Sequence, residues 1–128
     1  MQATQNNDEK KAVLFVDDDE MVLEVGSLML QKLGYSVLIA SNGHKAIKIL
    51  KKNKVAFVIL DLRMPDMNGV EIYPRLKNIQ PNVKVLLASG YMGDQSEKGL
   101  SIVGFDGFLQ KPFDFKQLSE KIKNILEN

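Results

Sequence analysis

The chain has 128 residues, of which 45% are hydrophobic and 26% are charged, and its formal net charge is +1. These values are typical of one globular domain. The balanced charge gives no reason to expect nucleic-acid binding through bulk electrostatics, and the apolar runs are too short to span a membrane. Because the sequence has no cysteine, disulfides, thiolate metal sites and cysteine nucleophiles are excluded. A cytoplasmic protein fits this composition.

The first eleven residues are polar and lack the apolar segment of a secretory signal. No internal repeat or low-complexity tract divides the rest of the chain. We therefore expect a disordered lead-in over residues 1–11 and one folded domain over residues 12–128.

Five short apolar runs divide the chain at similar intervals. The first four are rich in β-branched residues and do not alternate with polar ones, as expected for strands buried on both faces. The fifth is shorter and is predicted mainly from its position. The predicted strands cover residues 13–16, 37–40, 55–60, 83–88 and 107–109.

A segment with helical periodicity follows each predicted strand, with apolar residues on one face and polar residues on the other. Asp114 and Gln117 have the spacing of an N-cap and its N3 partner at the start of the last helix. The fourth helix is the weakest prediction because Gly99 lies inside it, and an interior glycine costs about 1 kcal/mol. The predicted helices cover residues 20–33, 44–53, 69–79, 94–103 and 115–126.

Pro74 falls inside the predicted third helix. A proline there cannot donate to the carbonyl of Val70, and its ring clashes with that carbonyl. We therefore expect a kink, a bulge or a late helix start near Ile72.

The strict alternation of strands and helices predicts a parallel sheet with helices on both faces. Right-handed crossovers limit the topology to a few doubly wound arrangements. In such sheets, ligands bind beyond the carboxyl ends of the strands.

Polar residues follow four of the predicted strands at this edge. Crowded carboxylates repel one another unless a cation intervenes, and Mg²⁺ suits an acidic oxygen site that also receives a phosphate oxygen. A carboxylate in such a site can act as the nucleophile. The residues concerned are Asp17, Asp18, Asp19, Asp61, Ser89 and Lys111.

Each of these residues also has a simpler interpretation. The three consecutive aspartates could cap the first helix, and Asp61 could be an ordinary turn residue. Ser89 could be a strand-end hydroxyl, and Lys111 a solvated lysine. His44 is expected on the surface at the start of the second helix, without the partner spacing of a metal ligand. The lysines of that helix are expected to form a solvated face.

Four stretches resemble the signature segments of bacterial response-regulator receiver domains, in order and each at a strand end. They are VLFVDDDE, VILDLRMPDMNG, LLASGY and GFLQKPF. The resemblance covers nearly the whole chain and implies a flavodoxin-like, doubly wound (βα)5 three-layer sandwich with sheet order 2-1-3-4-5. It also implies a cis peptide bond between Lys111 and Pro112. The segment LLASGY is similar to receivers attached to hybrid histidine kinases.

The resemblance implies a phosphoacceptor and a metal site. Asp61 would accept the phosphoryl group. Asp18 and Asp61 would bind Mg²⁺ directly, together with the backbone carbonyl of Arg63, and Asp17 would act through a metal-bound water. Mn²⁺ would be an acceptable substitute for Mg²⁺.

The resemblance also implies a switch. Lys111 would pair with Asp61 and then with a phosphate oxygen, and Ser89 would donate a hydrogen bond to the phosphate. Phe108 would change rotamer when Ser89 moves. The responding surface would comprise the predicted fourth helix, the fifth strand and the last helix.

The implied partner is a histidine kinase or a histidine phosphotransfer protein, with a homodimer through the responding surface as a further option. The chain would be a signalling phosphoacceptor that catalyses only its own phosphorylation and dephosphorylation. No direct nucleic-acid or membrane partner is expected.

Three alternatives share parts of this pattern. A flavodoxin-like FMN carrier would share the fold, but three aspartates after the first strand would repel the FMN phosphate. A haloacid-dehalogenase-type phosphatase would use an Asp-x-Asp in that position, with the first-strand aspartate as nucleophile and usually a cap insertion. A degenerate receiver that is not phosphorylated would lack some of the site residues. All of these residues are present in this sequence, which argues against that alternative.

Overall fold

The computed structural model describes residues 10–90 and 104–127. Its strands form one five-stranded sheet in the order β2-β1-β3-β4-β5, and every pairing is parallel. This confirms the predicted flavodoxin-like, doubly wound arrangement. The strands are β1 (Ala12–Val16), β2 (Ser36–Ala40), β3 (Phe57–Asp61), β4 (Lys84–Ser89) and β5 (Gly107–Gln110).

Four helices lie within the described residues: α1 (Glu20–Lys32), α2 (Gly43–Lys52), α3 (Gly69–Ile79) and α4 (Phe115–Glu127). They match the first, second, third and last predicted helices to within one or two residues. The helix predicted at 94–103 lies outside the described residues, as does most of the predicted lead-in. None of the helices in the described part of the chain is long and apolar enough to cross a membrane.

The sheet is covered on both faces, which gives three layers. Apolar residues of α1 and α4 pack on one face, and those of α2 and α3 pack on the other. All five residues of the central strand β3 are buried, which explains why its sequence is uniformly apolar up to Asp61.

The strand register brings the predicted site residues to one edge of the sheet. Val16 pairs with Leu60, so the residues that follow them, Asp17 and Asp61, are neighbours. Ser89 ends β4 beside Gln110 of β5, and Lys111 comes next along the chain.

The start of α3 differs from the expectation for Pro74. The helix begins at Gly69, where the Asn68 side chain accepts from the Glu71 N–H at 2.9 Å and the Glu71 side chain accepts from the Asn68 N–H at 3.1 Å. The helix then continues through Pro74 to Ile79. Of the three alternatives predicted at Pro74, the late start near Ile72 was wrong, because this capping box satisfies the first turn and Ile72 is fully buried. A kink or a bulge at Pro74 stays a prediction.

Candidate functional site

Asp17 is buried although it is charged, with 1% of its surface exposed. One carboxylate oxygen accepts from the Asp19 N–H at 2.9 Å, and the other accepts from the Lys111 ammonium at 2.8 Å. Asp19 caps α1 by accepting from the N–H groups of Met21 and Val22. The helix-cap interpretation therefore holds for Asp19, whereas Asp17 belongs to the acidic site.

Asp61 ends the central strand with 5% of its surface exposed. The pKa of its carboxyl is raised from 3.8 to about 6, first by burial and then by the neighbouring charge of Asp17, against the lowering effects of Lys111 and of the Arg63 N–H. A raised carboxyl pKa at a sheet edge is a common sign of a functional site.

Lys111 joins the two buried carboxylates. Its ammonium nitrogen lies 2.8 Å from Asp17 and 3.3 Å from an Asp61 oxygen. Burial lowers the pKa of Lys111, but the hydrogen bond to Asp17 and the charges of Asp61 and Asp17 raise it above its usual value. The Lys111–Pro112 peptide is cis, as predicted.

Ser89 and Arg63 line a cavity of about 280 Å³ together with Asp61, Gly90 and Lys111. Ser89 is buried at the end of β4, and its carbonyl accepts from the Lys111 N–H at 2.8 Å. The cavity therefore has carboxylate, hydroxyl, ammonium and backbone groups around it.

Phe108 lies outside this cavity, in the middle of β5. Its ring packs against the core on the α2 and α3 face, with its centroid 6.2 Å from that of Phe105 in an edge-on arrangement. The ring is only partly buried.

The carboxylates of Asp17, Asp18 and Asp61 have oxygen atoms within 4.8 Å of one another. Asp18 is exposed, while the other two residues are buried. Lys111 supplies one positive charge against three negative ones. This oxygen donor set, open to solvent on the Asp18 side, fits a hard divalent cation such as Mg²⁺.

His44 lies on the surface, as predicted, but its partner was not predicted. The imidazole of His44 contacts the carboxylate of Asp66, which also accepts from the N–H groups of Gly43 and His44 at 3.0 Å each. Burial raises the pKa of Asp66, but these hydrogen bonds outweigh it and lower the pKa to about 2. His44 and Asp66 are 22 positions apart, and patterns of nearby residues in the sequence do not predict such a contact.

The family model of the response regulator receiver domain matches residues 13–123. The chain belongs to the response regulator receiver family. This membership favours the receiver interpretation over the flavin carrier and the phosphatase.

Curated relatives of this receiver domain include sensor kinases and transcriptional regulatory proteins. The sensor kinase CckA of Brucella abortus is 36% identical over 117 residues, which are 90% of this chain and 12% of the kinase. The receiver domain thus spans only a small part of this relative.

Solved receiver structures share the fold. A receiver domain protein from Methanospirillum hungatei has a TM-score of 0.85 and 28% identity, over 93% of this chain and 95% of that one. A response regulator from Burkholderia pseudomallei, solved with a phosphorylated aspartic acid, a calcium ion and citrate, has a TM-score of 0.81 and 26% identity. The coverage is 92% of this receiver domain and 70% of the Burkholderia chain.

Proposed function

We propose that the receiver domain accepts a phosphoryl group on Asp61 from a histidine kinase or a histidine phosphotransfer protein, and that the reaction requires Mg²⁺. The observation that carries this proposal is the buried Asp61 carboxylate, 3.3 Å from the Lys111 ammonium and clustered with Asp17 and Asp18. The phosphorylated aspartic acid in the Burkholderia structure supports the same chemistry.

Asp61 would act as the nucleophile. An oxygen of its carboxylate forms a bond to phosphorus as the bond between phosphorus and the donor's leaving atom breaks, and the leaving group takes up a proton from solvent. The carboxylate must be ionised to attack, and with a pKa of about 6 it is largely ionised near neutral pH. Positive charge beside Asp61 would stabilise this ionised form in its buried surroundings.

Two sources of positive charge are proposed. Lys111 already lies between Asp17 and Asp61 and can turn to an oxygen of the transferred group. Mg²⁺, held by Asp18, Asp61 and the Arg63 carbonyl and by Asp17 through water, would neutralise the carboxylates and the phosphoryl oxygens. Mn²⁺, with similar oxygen preference, would substitute.

A protein donor can approach Asp61 along α1. A largely apolar groove of about 410 Å³ runs from Lys111 and Pro112 to the side chains of Met21 and Val25. These last two side chains are 70% and 46% exposed, although they lie beside a charged site. Apolar surface next to reactive groups suits the docking of a macromolecular donor.

The signal would pass through β4 and β5. Phosphorylation adds acceptor oxygens, and Ser89 is placed to donate to one of them from the end of β4. Its movement would free space for the Phe108 ring. Burying the rest of this partly buried ring would be worth only part of the about 1.5–3 kcal/mol for complete burial of a phenylalanine. The resulting surface, which includes β5 and α4, would bind a protein partner or a second copy.

Phosphorylation with acetyl phosphate tests the proposal. Intact-mass measurement should show one added phosphoryl group on the wild type with Mg²⁺, and none with EDTA or in Asp61→Asn. Asp66→Asn is the matched control, because it removes another carboxylate of the same loop without touching the nucleophile, and it should still be modified at saturating Mg²⁺. Equal incorporation in the wild type and Asp61→Asn would contradict the assignment.

A further inference from the structure

The N-terminus of α2 is capped by a residue from a different part of the chain. The first turn of α2 contains no acidic residue, and the Asn42 side chain satisfies only the Lys45 N–H, at 2.9 Å. The N–H groups of Gly43 and His44 donate instead to the two carboxylate oxygens of Asp66. A carboxylate at this position also complements the positive end of the helix dipole.

Packing holds the Asp66 segment tightly against α2. A β-carbon at Gly43 would lie 2.6 Å from a side-chain carbon of Met67 and 2.7 Å from one of Ile72. Both distances are shorter than van der Waals contact allows. The loop and α3 therefore pack directly on Gly43, and a side chain there would displace Met67 and Ile72.

The same loop is the one that follows Asp61. The Leu62 N–H donates to the Ala88 carbonyl at 3.0 Å, and the Leu62 carbonyl accepts from the Gly69 N–H at 2.7 Å. Arg63 lies between this anchored residue and Asp66. Residues 62–68 are thus held by β4 and α3 at their ends and by α2 at Asp66.

We infer that Asp66 is a positioning residue for the metal site, because its attachment to α2 sets the path of the loop that carries the Arg63 carbonyl. Within the described part of the chain, Asp66 is not a member of the carboxylate cluster that could hold the metal. Its effect passes through the backbone between Arg63 and Asp66. Because these residues are only three positions apart, a shift of Asp66 also shifts the Arg63 carbonyl. This inference rests on the proposed function, since it concerns the proposed Mg²⁺ site.

The coupling must act in both directions. If attachment of Asp66 to α2 favours Mg²⁺ binding, then Mg²⁺ binding favours attachment by the same factor. Hydrogen exchange at the Gly43 and His44 amides, which donate to Asp66, should therefore slow when Mg²⁺ is added. Amides in the middle of α2 provide the internal reference.

Mg²⁺ titration followed by amide NMR tests the inference on four proteins: the wild type, Asp66→Ala, Asp66→Asn and Asn42→Ala. Asn42→Ala is the matched control, because it also removes a cap of α2 but leaves the loop attached. We expect Asp66→Ala to weaken Mg²⁺ affinity at least about fivefold, the lower end of typical coupling between sites. Asp66→Asn keeps one acceptor and should lie in between, while Asn42→Ala should retain the wild-type affinity.

Four outcomes decide the test. Equal weakening in Asp66→Ala and Asn42→Ala would overturn the inference, because it would show that only the stability of α2 matters. Unchanged Mg²⁺ affinity in Asp66→Ala would overturn it as well. If Asp66→Ala does not fold, Asp66→Asn replaces it, and Mg²⁺ affinity equal to that of the wild type or of Asn42→Ala would overturn the inference. A wild type that binds no Mg²⁺ would instead contradict the proposed function.

Discussion

The raised pKa of Asp61 predicts that its buried carboxylate destabilises the folded domain when no metal is bound. Asp61→Asn keeps the size of the side chain and removes the charge, so it resembles the protonated carboxyl. A pKa of about 6 against an ordinary 3.8 means that ionisation is unfavourable in the fold by about 3 kcal/mol, at about 1.4 kcal/mol per pKa unit.

The pH dependence follows from the direction of this change. Below about pH 4 the carboxyl is protonated in both the folded and the unfolded chain, so it imposes no penalty. Between about pH 4 and 6 only the unfolded chain loses the proton, and stability falls. Above about pH 6 the full penalty is present.

Urea unfolding in EDTA at pH 4 and pH 7.5 measures the effect. Asp61→Asn should be more stable than the wild type by up to about 3 kcal/mol at pH 7.5 and nearly equal to it at pH 4. Asp66→Asn should show the opposite sign, because the pKa of Asp66 is lowered to about 2, and its loss of stability should shrink as the pH falls toward 2. A stability difference for Asp61→Asn that does not change with pH would refute the reasoning.

Three further changes test the packing, the charge balance and the switch. Gly26→Ala should destabilise the domain by about 1–3 kcal/mol in urea unfolding, because the new β-carbon would lie 2.3 Å from the Phe15 ring; the exposed Glu24→Ala on the same helix should change little. Lys111→Met should raise the pKa of Asp61 beyond about 6, since Lys111 lowers it. NMR titration of the carboxyl group without metal measures this change, and an unchanged pKa would contradict the role of Lys111. Ser89→Ala should keep Mg²⁺ affinity but reduce the chemical-shift response of Phe108 to beryllofluoride; a full response would contradict the proposed relay.

Most of the fold was predictable because its signals are local. The uniformly apolar run before Asp61 indicated a strand buried on both faces, and β3 is indeed buried along its whole length. Asp114 and Gln117 were predicted to cap the last helix, and each accepts from the other's backbone N–H at 2.8 and 2.9 Å. Strand ends were predictable in the same way, so the edge of the sheet that carries Asp17 and Asp61 followed from the chain order.

The error at Pro74 came from giving one local penalty too much weight. The missing hydrogen bond at Pro74 led to the expectation of a late helix start as one of three alternatives, but Asn68 and Glu71 already stabilise the first turn of α3. The burial of Ile72 and Leu76 then holds the residues on both sides of the proline in helical conformation. The periodicity of apolar residues predicts which face of a helix is buried. Only the packing shows how far that burial offsets a local cost such as the missing hydrogen bond at Pro74.

The sequence by itself determined which elements form and which reactive side chains stand at the ends of the strands. Only the tertiary structure decided which of these side chains meet. Lys111 reaches Asp17, 94 positions away, at 2.8 Å, and Asp66 caps a helix that begins 23 positions before it. Helix caps and strand periodicity depend on residues a few positions apart, whereas these contacts depend on strand register and on the faces to which the crossovers bring each element.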